Sequence, residues 1–187
     1  MKKALFIDFD DSFSWNVIQE LEGVGFEVTV IHWMDLESFP ETDLLVAGPG
    51  PGHPDDYQRI FSLLTEWLNL KKPFFGLCLG HQIFWRLKGE NVYRSKEPLH
   101  GQRVILNLDS EWQEWLHLPS EVKVQRYNSL SVMDEVSTRN PEVRNLIKDG
   151  EVMISRGEKV LTYQFHPESV GTSFRKAFFR PLLGFFV

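Results

Sequence analysis

Cys78 is the only cysteine of the 187 residues, and its surroundings are typical of a reactive thiol. It lies in the segment 76–80, Gly-Leu-Cys-Leu-Gly, between a short apolar run and a stretch with helical character. This order predicts a sharp strand-to-helix turn with the cysteine at its apex, where the flanking glycines remove side chains that would collide. Backbone N–H groups at the start of the helix would stabilise the thiolate, which is the nucleophilic form of cysteine. The alternative is a buried cysteine that serves only as a small apolar residue.

A histidine and a carboxylate two positions apart offer partners for such a nucleophile. His166 and Glu168 follow a predicted strand in the segment 164–169, Gln-Phe-His-Pro-Glu-Ser. In an extended or turning segment their side chains can point to the same side. His166 could then take the proton from Cys78 while Glu168 holds the imidazole in the required tautomer. Taken alone, this pattern also fits a surface histidine beside a solvated glutamate, but Pro167 between them stiffens the spacing.

The loop 48–54, Gly-Pro-Gly-Pro-Gly-His-Pro, follows another apolar run. A glycine-rich loop after a strand can bind phosphate, but the three prolines here remove backbone N–H donors. A stiff loop that presents one or two glycine N–H groups fits an oxyanion hole better. A plain tight turn is the alternative.

The elements that must position these residues alternate between strand and helix in the first half of the chain. Apolar runs predict strands at 4–7, 28–31, 44–47 and 74–77, and helical periodicity predicts helices that start near Ser12 and near Asp55 or Asp56. This alternation of strands and helices predicts an α/β fold, with a mostly parallel central sheet and helices on both faces. Beyond about residue 92 we expect a smaller, mixed or antiparallel arrangement, from short strands at 103–108, 122–127, 130–133, 151–155 and 160–165.

Length and composition indicate one domain that spans residues 1–187. The net charge of −6 gives no reason to expect a nucleic-acid partner. We expect no membrane span, no signal peptide and a cytoplasmic location, because apolar runs are short and a lone cysteine cannot form an internal disulfide.

Taken together, the motifs resemble those of the class I (triad) glutamine amidotransferases. The resemblance rests on segments 76–82, Gly-Leu-Cys-Leu-Gly-His-Gln, 164–169 and 48–52, which occur in the expected order over nearly the whole chain. Residues Ile7 and Asp8, the segment 11–13 (Asp-Ser-Phe) and Asn16 are similar to the N-terminal signature of one branch. That branch holds the small subunit of anthranilate synthase and its relative in aminodeoxychorismate synthase.

The resemblance implies a flavodoxin-like fold and a reaction. Cys78 would attack the side-chain amide of L-glutamine and form a γ-glutamyl thioester, with His166 as base and then acid and Glu168 as its orienting partner. Ammonia would pass to a chorismate-binding synthase subunit, the expected heteromeric partner. The resemblance implies no metal and no organic cofactor on this chain.

The resemblance also implies a set of binding residues. Backbone N–H groups of Gly50 and Leu79 would line the oxyanion hole, with Pro51 and Gly52 in the same loop. Three residues match positions that hold the amino-acid end of glutamine, the last two largely through backbone groups: Gln82, Ser129 and Leu130. By itself, the segment 126–130 that contains the last two carries no recognisable motif.

Some positions depart from the family's usual pattern: Phe9, Asp10, Lys88, Gln102 and Asn128, the last where a histidine is usual. None belongs to the triad, and several fall where partner contacts or support of the glutamine pocket are expected. The departures leave the exact pathway open, anthranilate or aminodeoxychorismate. Three other functions compete: a subunit that serves another synthase, a free-standing γ-glutamyl amidase, and a non-catalytic binding module, against which the intact Cys78, His166 and Glu168 argue.

Overall fold

Eleven strands occur within residues 1–186, the part of the chain that the computed structural model describes. In chain order they are β1 (Lys2–Asp8), β2 (Phe26–His32), β3 (Leu44–Ala47), β4 (Phe74–Leu77), β5 (Tyr93–Arg94), β6 (Gln102–Asn107), β7 (Glu121–Arg126), β8 (Leu130–Ser131), β9 (Arg144–Lys148), β10 (Glu151–Arg156) and β11 (Val160–Tyr163). Seven of them form the central sheet, in the order β2-β1-β3-β4-β11-β10-β9.

The first five strands of that order run parallel, while β10 and β9 are antiparallel additions at one edge. Strands β3 and β4 are buried along their whole length, because helices cover both faces of the sheet. The parallel order is that of a flavodoxin-like sheet, so the predicted fold class is confirmed. Because parallel strands end at the same edge, the residues that follow β1, β3, β4 and β11 meet there.

Six α-helices lie within the described residues: α1 (Ser14–Gly23), α2 (Phe61–Asn69), α3 (Leu79–Leu87), α4 (Ser110–Leu116), α5 (Val136–Arg139) and α6 (Arg175–Phe179). Two hydrophobic cores fill the two faces of the sheet. Strand β1 shows the division, since Ala4 and Phe6 pack into one core while Leu5 and Ile7 pack into the other. No helix within residues 1–186 has the length and apolar character needed to cross a membrane.

The second half of the chain departs in detail from the sequence-based prediction. Strands β10 and β11 join the main sheet, and the small antiparallel sheets are the pairs β5–β8 and β6–β7. The strand predicted at 160–165 ends at Tyr163, and the one predicted at 130–133 pairs only over Leu130–Ser131. Strand β9 and helix α4 were not predicted. Helix α4 is a seven-residue element in which the Asp109 carboxylate accepts a hydrogen bond from the Trp112 N–H at 3.0 Å.

Both predicted helix caps were wrong. Helix α1 begins at Ser14 after Phe13, and the turn before it is held by the Asp11 carboxylate, which accepts the Phe13 N–H at 2.8 Å. Near residue 55 a 3₁₀ helix, Pro54–Ile60, precedes α2, and the His53 side chain caps it. The Asp56 carboxylate accepts a hydrogen bond from the His53 N–H at 2.8 Å. It is therefore part of the cap of the 3₁₀ helix and does not begin α2.

Candidate active site

Cys78 occupies the predicted sharp turn between β4 and α3. Its backbone has φ 50° and ψ −98°, a strained conformation for a residue with a side chain, and its N–H donates to the Tyr163 carbonyl at 2.8 Å. The glycines around it are needed for steric reasons. A Cβ atom on Gly76 would lie 2.7 Å from the Gly80 carbonyl oxygen, and one on Gly80 would lie 2.0 Å from that of Ala47. The turn therefore lifts the cysteine to the edge where the parallel strands end.

The His166 and Glu168 side chains meet beside this turn. Strand β11 runs parallel to β4 with Tyr163 opposite Leu77, so the segment after β11 emerges next to the segment after β4. The Nδ1–H of His166 donates to Glu168 Oε1 at 2.7 Å, and both side chains are buried. The sequence predicted this pairing, and the geometry leaves the other ring nitrogen of His166 available to a nucleophile.

Charge around His166 favours its protonated form. Burial lowers the pKa of His166, but the charges of Glu168 and Cys78, together with hydrogen bonds to both, raise that pKa well above its ordinary value of 6.5. The raised pKa of His166 keeps a proton available on the imidazole beside Cys78. The arrangement can therefore supply both a nucleophile and an acid for a leaving group.

His166 is fixed by contacts that sequence reasoning did not identify. The rings of Phe13 and Tyr127 lie 5.1 and 4.9 Å from the imidazole, centroid to centroid. The His166 N–H donates to the Gln125 carbonyl at 2.9 Å, and the Thr172 hydroxyl donates to the His166 carbonyl at 2.7 Å. Phe13 lies in the N-terminal signature, so an aromatic residue there was visible in the sequence, but its contact partner was not.

The loop after β3 brings Gly50 against Leu79, as an oxyanion hole requires. A Cβ atom on Gly50 would lie 2.6 Å from Leu79 Cδ2 and 2.5 Å from Phe9 Cβ. Gly52 has φ +76°, and the carbonyl of Pro51 accepts the Tyr57 hydroxyl at 2.8 Å. Within residues 1–186, neither the Gly50 N–H nor the Leu79 N–H donates to a backbone carbonyl in a turn, loop or helix cap, so both remain candidate oxyanion donors.

Gln82 lies one helical turn after Cys78, on the same side of α3. Its Nε2 donates to the Leu130 carbonyl at 3.0 Å and to Gln164 Oε1 at 3.1 Å. The Ser129 carbonyl accepts the Ser95 N–H at 2.9 Å, while the residue itself is exposed. The three predicted binding residues thus lie together, but the carbonyls of Ser129 and Leu130 already bond within the protein.

Gln164 is a site residue to which the sequence analysis gave no role. Its Nε2 donates to Cys78 Sγ at 3.8 Å. It is buried, and it is the first residue of the segment 164–169 that carries His166. The only available signal was its place in the 164–169 motif.

Two of the unusual residues lie close to the site. Phe9 is fully buried, packs against Gly50 and contacts the Tyr57 ring edge-on at 4.9 Å. Asp10 lies in the left-handed region, φ 64°, and its carboxylate lies 3.0 Å from His32 Nε2. Phe9 therefore supports the glycine loop, while Asp10 is an exposed charge at the rim.

The other three unusual residues differ in burial. Lys88 pairs with Glu142 at 2.6 Å on the surface, and Gln102 is exposed at the start of β6. Asn128 is buried, and its Nδ2 donates to the Leu130 carbonyl at 2.9 Å. Of these three, only Asn128 touches a predicted binding residue.

Comparison with known proteins agrees with this geometry. The family model for class I glutamine amidotransferases matches residues 5–183. Anthranilate synthase component 2 of Helicobacter pylori is 32% identical, over 98% of this chain and 97% of that protein. The aminodeoxychorismate/anthranilate synthase component 2 of Bacillus subtilis is 33% identical, over 94% and 93%. The chain therefore belongs to the class I glutamine amidotransferase family.

A solved structure supports the fold. It is that of a Thermoplasma acidophilum protein proposed to belong to a GMP synthase, with a TM-score of 0.80 and 19% identity. The match covers 99% of this chain and 94% of that one. At this identity the likeness concerns the fold alone.

Proposed function

We propose that this chain is the glutamine-hydrolysing subunit of an anthranilate synthase, which releases ammonia from L-glutamine for a chorismate-using synthase partner. The observation that carries the proposal is the meeting of Cys78, His166 and Glu168 at one sheet edge. Support comes from relatives named anthranilate synthase component 2, which align over nearly the full length of the chain.

In the proposed reaction, the Cys78 thiolate attacks the side-chain amide carbon of glutamine. The tetrahedral intermediate carries its negative charge on oxygen, where the N–H groups of Gly50 and Leu79 would stabilise it. It collapses to a γ-glutamyl thioester as the C–N bond breaks and His166 donates its proton to the departing ammonia. His166 then takes a proton from water, which attacks the thioester and releases glutamate and the thiolate. Glu168 keeps Nδ1–H in place and stabilises the imidazolium throughout.

Substrate binding falls to the groups around the turn. Gln82, one turn along α3, lies within reach of the amino-acid end of a bound glutamine, and exposed Ser129 offers its own polar groups. The loop residues Pro51 and Gly52 would shape the mouth of the site, where Tyr57 holds the Pro51 carbonyl. Thioester chemistry of this kind draws on side chains and backbone alone, without a metal or an organic cofactor.

The second candidate is the same glutaminase role in aminodeoxychorismate synthase. One specific observation supports this candidate: a relative that is 33% identical is named for both synthases. A free-standing γ-glutamyl amidase would use the same triad without a partner.

The test is to capture the native synthase partner on the tagged chain and to supply the complex with chorismate and glutamine. Formation of anthranilate supports the proposal. Formation of aminodeoxychorismate moves the second candidate to first place, and formation of both products indicates that one glutaminase serves both synthases. A chain that binds no synthase and hydrolyses glutamine at full rate alone would instead be a free-standing amidase.

A further inference from the structure

A buried ion pair lies behind the glutamine-binding residues. Arg126, at the end of β7, donates through Nη2 to Glu151 Oε2 at 2.7 Å, and both side chains are almost fully buried. Glu151 Oε1 also accepts the Ser95 hydroxyl at 2.8 Å and the Lys96 N–H at 2.7 Å. Burial raises the pKa of Glu151, but these donors and the charge of Arg126 lower it more, so the carboxyl stays ionised. A buried pair with hydrogen bonds to both carboxylate oxygens holds its side chains in one arrangement.

Arg126 determines how the Asn128 amide is oriented. A guanidinium has only donors, so the group that faces Arg126 Nε must be the oxygen of the Asn128 amide, at 3.0 Å. The amide nitrogen then points the other way, and it donates to the Leu130 carbonyl at 2.9 Å.

The same logic continues from Leu130 to the nucleophile. A carbonyl only accepts, so Gln82 must present its amide nitrogen to Leu130, and that nitrogen also donates to Gln164 Oε1 at 3.1 Å. Gln164 therefore turns its own nitrogen towards Cys78 Sγ, 3.8 Å away. The Leu130 carbonyl thus fixes Gln82, and Gln82 fixes Gln164, while Asn128 also donates to the same carbonyl.

We propose that Gln82 and Gln164 form a hydrogen-bonded chain that starts at the Leu130 carbonyl and presents an N–H donor to the Cys78 sulfur, and that Asn128, oriented by the buried Arg126–Glu151 pair, holds this carbonyl in place. The proposal rests on the proposed function, because it assigns these residues to the same glutaminase site. Gln164 touches the reacting sulfur, and Asn128 is a positioning residue that acts through Leu130 and Gln82.

The direction of the chain matters because an amide is not symmetrical. A flipped Gln164 would place an oxygen lone pair against the sulfur and would oppose the thiolate. Within residues 1–186 the Gln82 side chain bonds only through Nε2, so the same orientation leaves Oε1 as an acceptor for the amino group of a bound glutamine. The same set of amide orientations thus gives the nucleophile a hydrogen-bond donor and the substrate a hydrogen-bond acceptor.

The first test measures alkylation of Cys78 by iodoacetamide at neutral pH, which is unambiguous in a chain with one cysteine. Gln164→Met keeps the size of the side chain but removes the donor, and we expect alkylation to slow about tenfold. Gln113→Met is the matched control, because the Gln113 amide bonds to the Leu108 carbonyl far from the site. Gln164→Glu, which replaces the donor by an oxygen, has the same expected result and serves if Gln164→Met does not fold.

The second test is Asn128→Asp, which keeps the shape and the contact with Arg126 but places an oxygen against the Leu130 carbonyl. We expect the KM for glutamine to rise about tenfold while kcat changes much less, because the substrate acceptor on Gln82 is displaced. Asn91→Asp is the control, since that exposed amide donates only to the Tyr93 hydroxyl. Thermal unfolding checks that both variants are folded at the assay temperature.

Unchanged alkylation in both Gln164 variants, or an unchanged KM in Asn128→Asp, would overturn the proposal. The alkylation test needs no substrate. Slower alkylation in a Gln164 variant, together with no glutamine hydrolysis by the wild-type chain in complex with its synthase partner, would therefore refute the proposed function and leave the hydrogen-bonded chain standing.

Discussion

At the scale of single residues, His166 connects the nucleophile to the rest of the site. It is buried against the rings of Phe13 and Tyr127, bonded to Glu168 through Nδ1, and influenced by the charge of Cys78. Such a group transfers protons in both halves of the proposed reaction, whereas Glu168 only orients and stabilises it. Substitution of His166 should therefore reduce the rate of glutamine hydrolysis more than substitution of Glu168.

We expect His166→Ala to reduce kcat for glutamine hydrolysis by ~10²–10⁴-fold, the usual contribution of a general acid–base group. Glu168→Gln can still hydrogen-bond to the imidazole, so its loss should be clearly smaller. Steady-state glutaminase kinetics in the presence of the partner measure both. Glu158→Gln, at an exposed glutamate, is the control and should behave like the wild type. Equal losses for the two site variants would mean that these roles are assigned wrongly.

The raised pKa of His166 predicts a pH dependence of stability. Because the pKa is higher in the folded protein than the ordinary 6.5, the stabilisation by Glu168 is fully present below that value and is lost as the pH rises through the folded pKa. The difference in unfolding free energy between wild type and Glu168→Gln should accordingly be largest in mildly acidic solution and shrink on the alkaline side. Urea denaturation across this range measures it, and a difference that grows towards alkaline pH would contradict the assignment.

At the scale of elements, the pairing of β4 with β11 creates the site. The apolar runs of β1, β3 and β4 were readable from the sequence, because strands buried on both faces are nearly continuous in apolar residues. That β4 lies beside β11 was not readable, since 86 residues separate Cys78 from Gln164 and strand neighbours depend on long-range packing. The turn glycines belong to the predictable part.

We expect Gly80→Ala to destabilise the fold by more than about 4 kcal/mol or to prevent folding, because its Cβ would overlap a backbone carbonyl oxygen that cannot move aside. Gly23→Ala is the matched control: it ends α1 with open space around it and should be neutral or stabilising by about 0.5–1 kcal/mol. Thermal unfolding of the two variants provides the comparison. Similar stabilities would show that the turn is less tightly packed than described.

One physical reason explains why the sequence did not predict the remaining parts of the site. Cys78, His166 and Glu168 were identified because their residue types carry chemistry at a fixed spacing. Gln164 and Asn128 were given no role, because an amide acquires a function only through its neighbours in space. The contacts that define those neighbours come from different strands and from a helix.

At the scale of the whole molecule, the question is how a glutaminase avoids wasting glutamine when no acceptor is present. The loop 48–54 is the proposed switch, because its prolines restrict it while the peptide at Gly50 can turn an N–H into or out of the oxyanion hole. Tyr57 and Phe9 hold the flanks of this loop, so a change there need involve only one peptide plane. Docking of a partner needs only to favour the competent arrangement.

We expect the isolated chain to hydrolyse glutamine ~10²–10³-fold more slowly than the complex, the effect of one oxyanion donor. Glutaminase turnover with and without the purified synthase, and with and without chorismate, measures this difference. An isolated chain that turns over at the rate of the complex would rule out gating and would favour the free-standing amidase.

The central claim is that this chain supplies ammonia while another chain uses it. The most direct test is Cys78→Ala in the assembled complex, assayed with chorismate and either glutamine or an ammonium salt. We predict that glutamine-dependent synthesis disappears while ammonium-dependent synthesis stays at the wild-type rate. Equal loss of both activities would contradict the account.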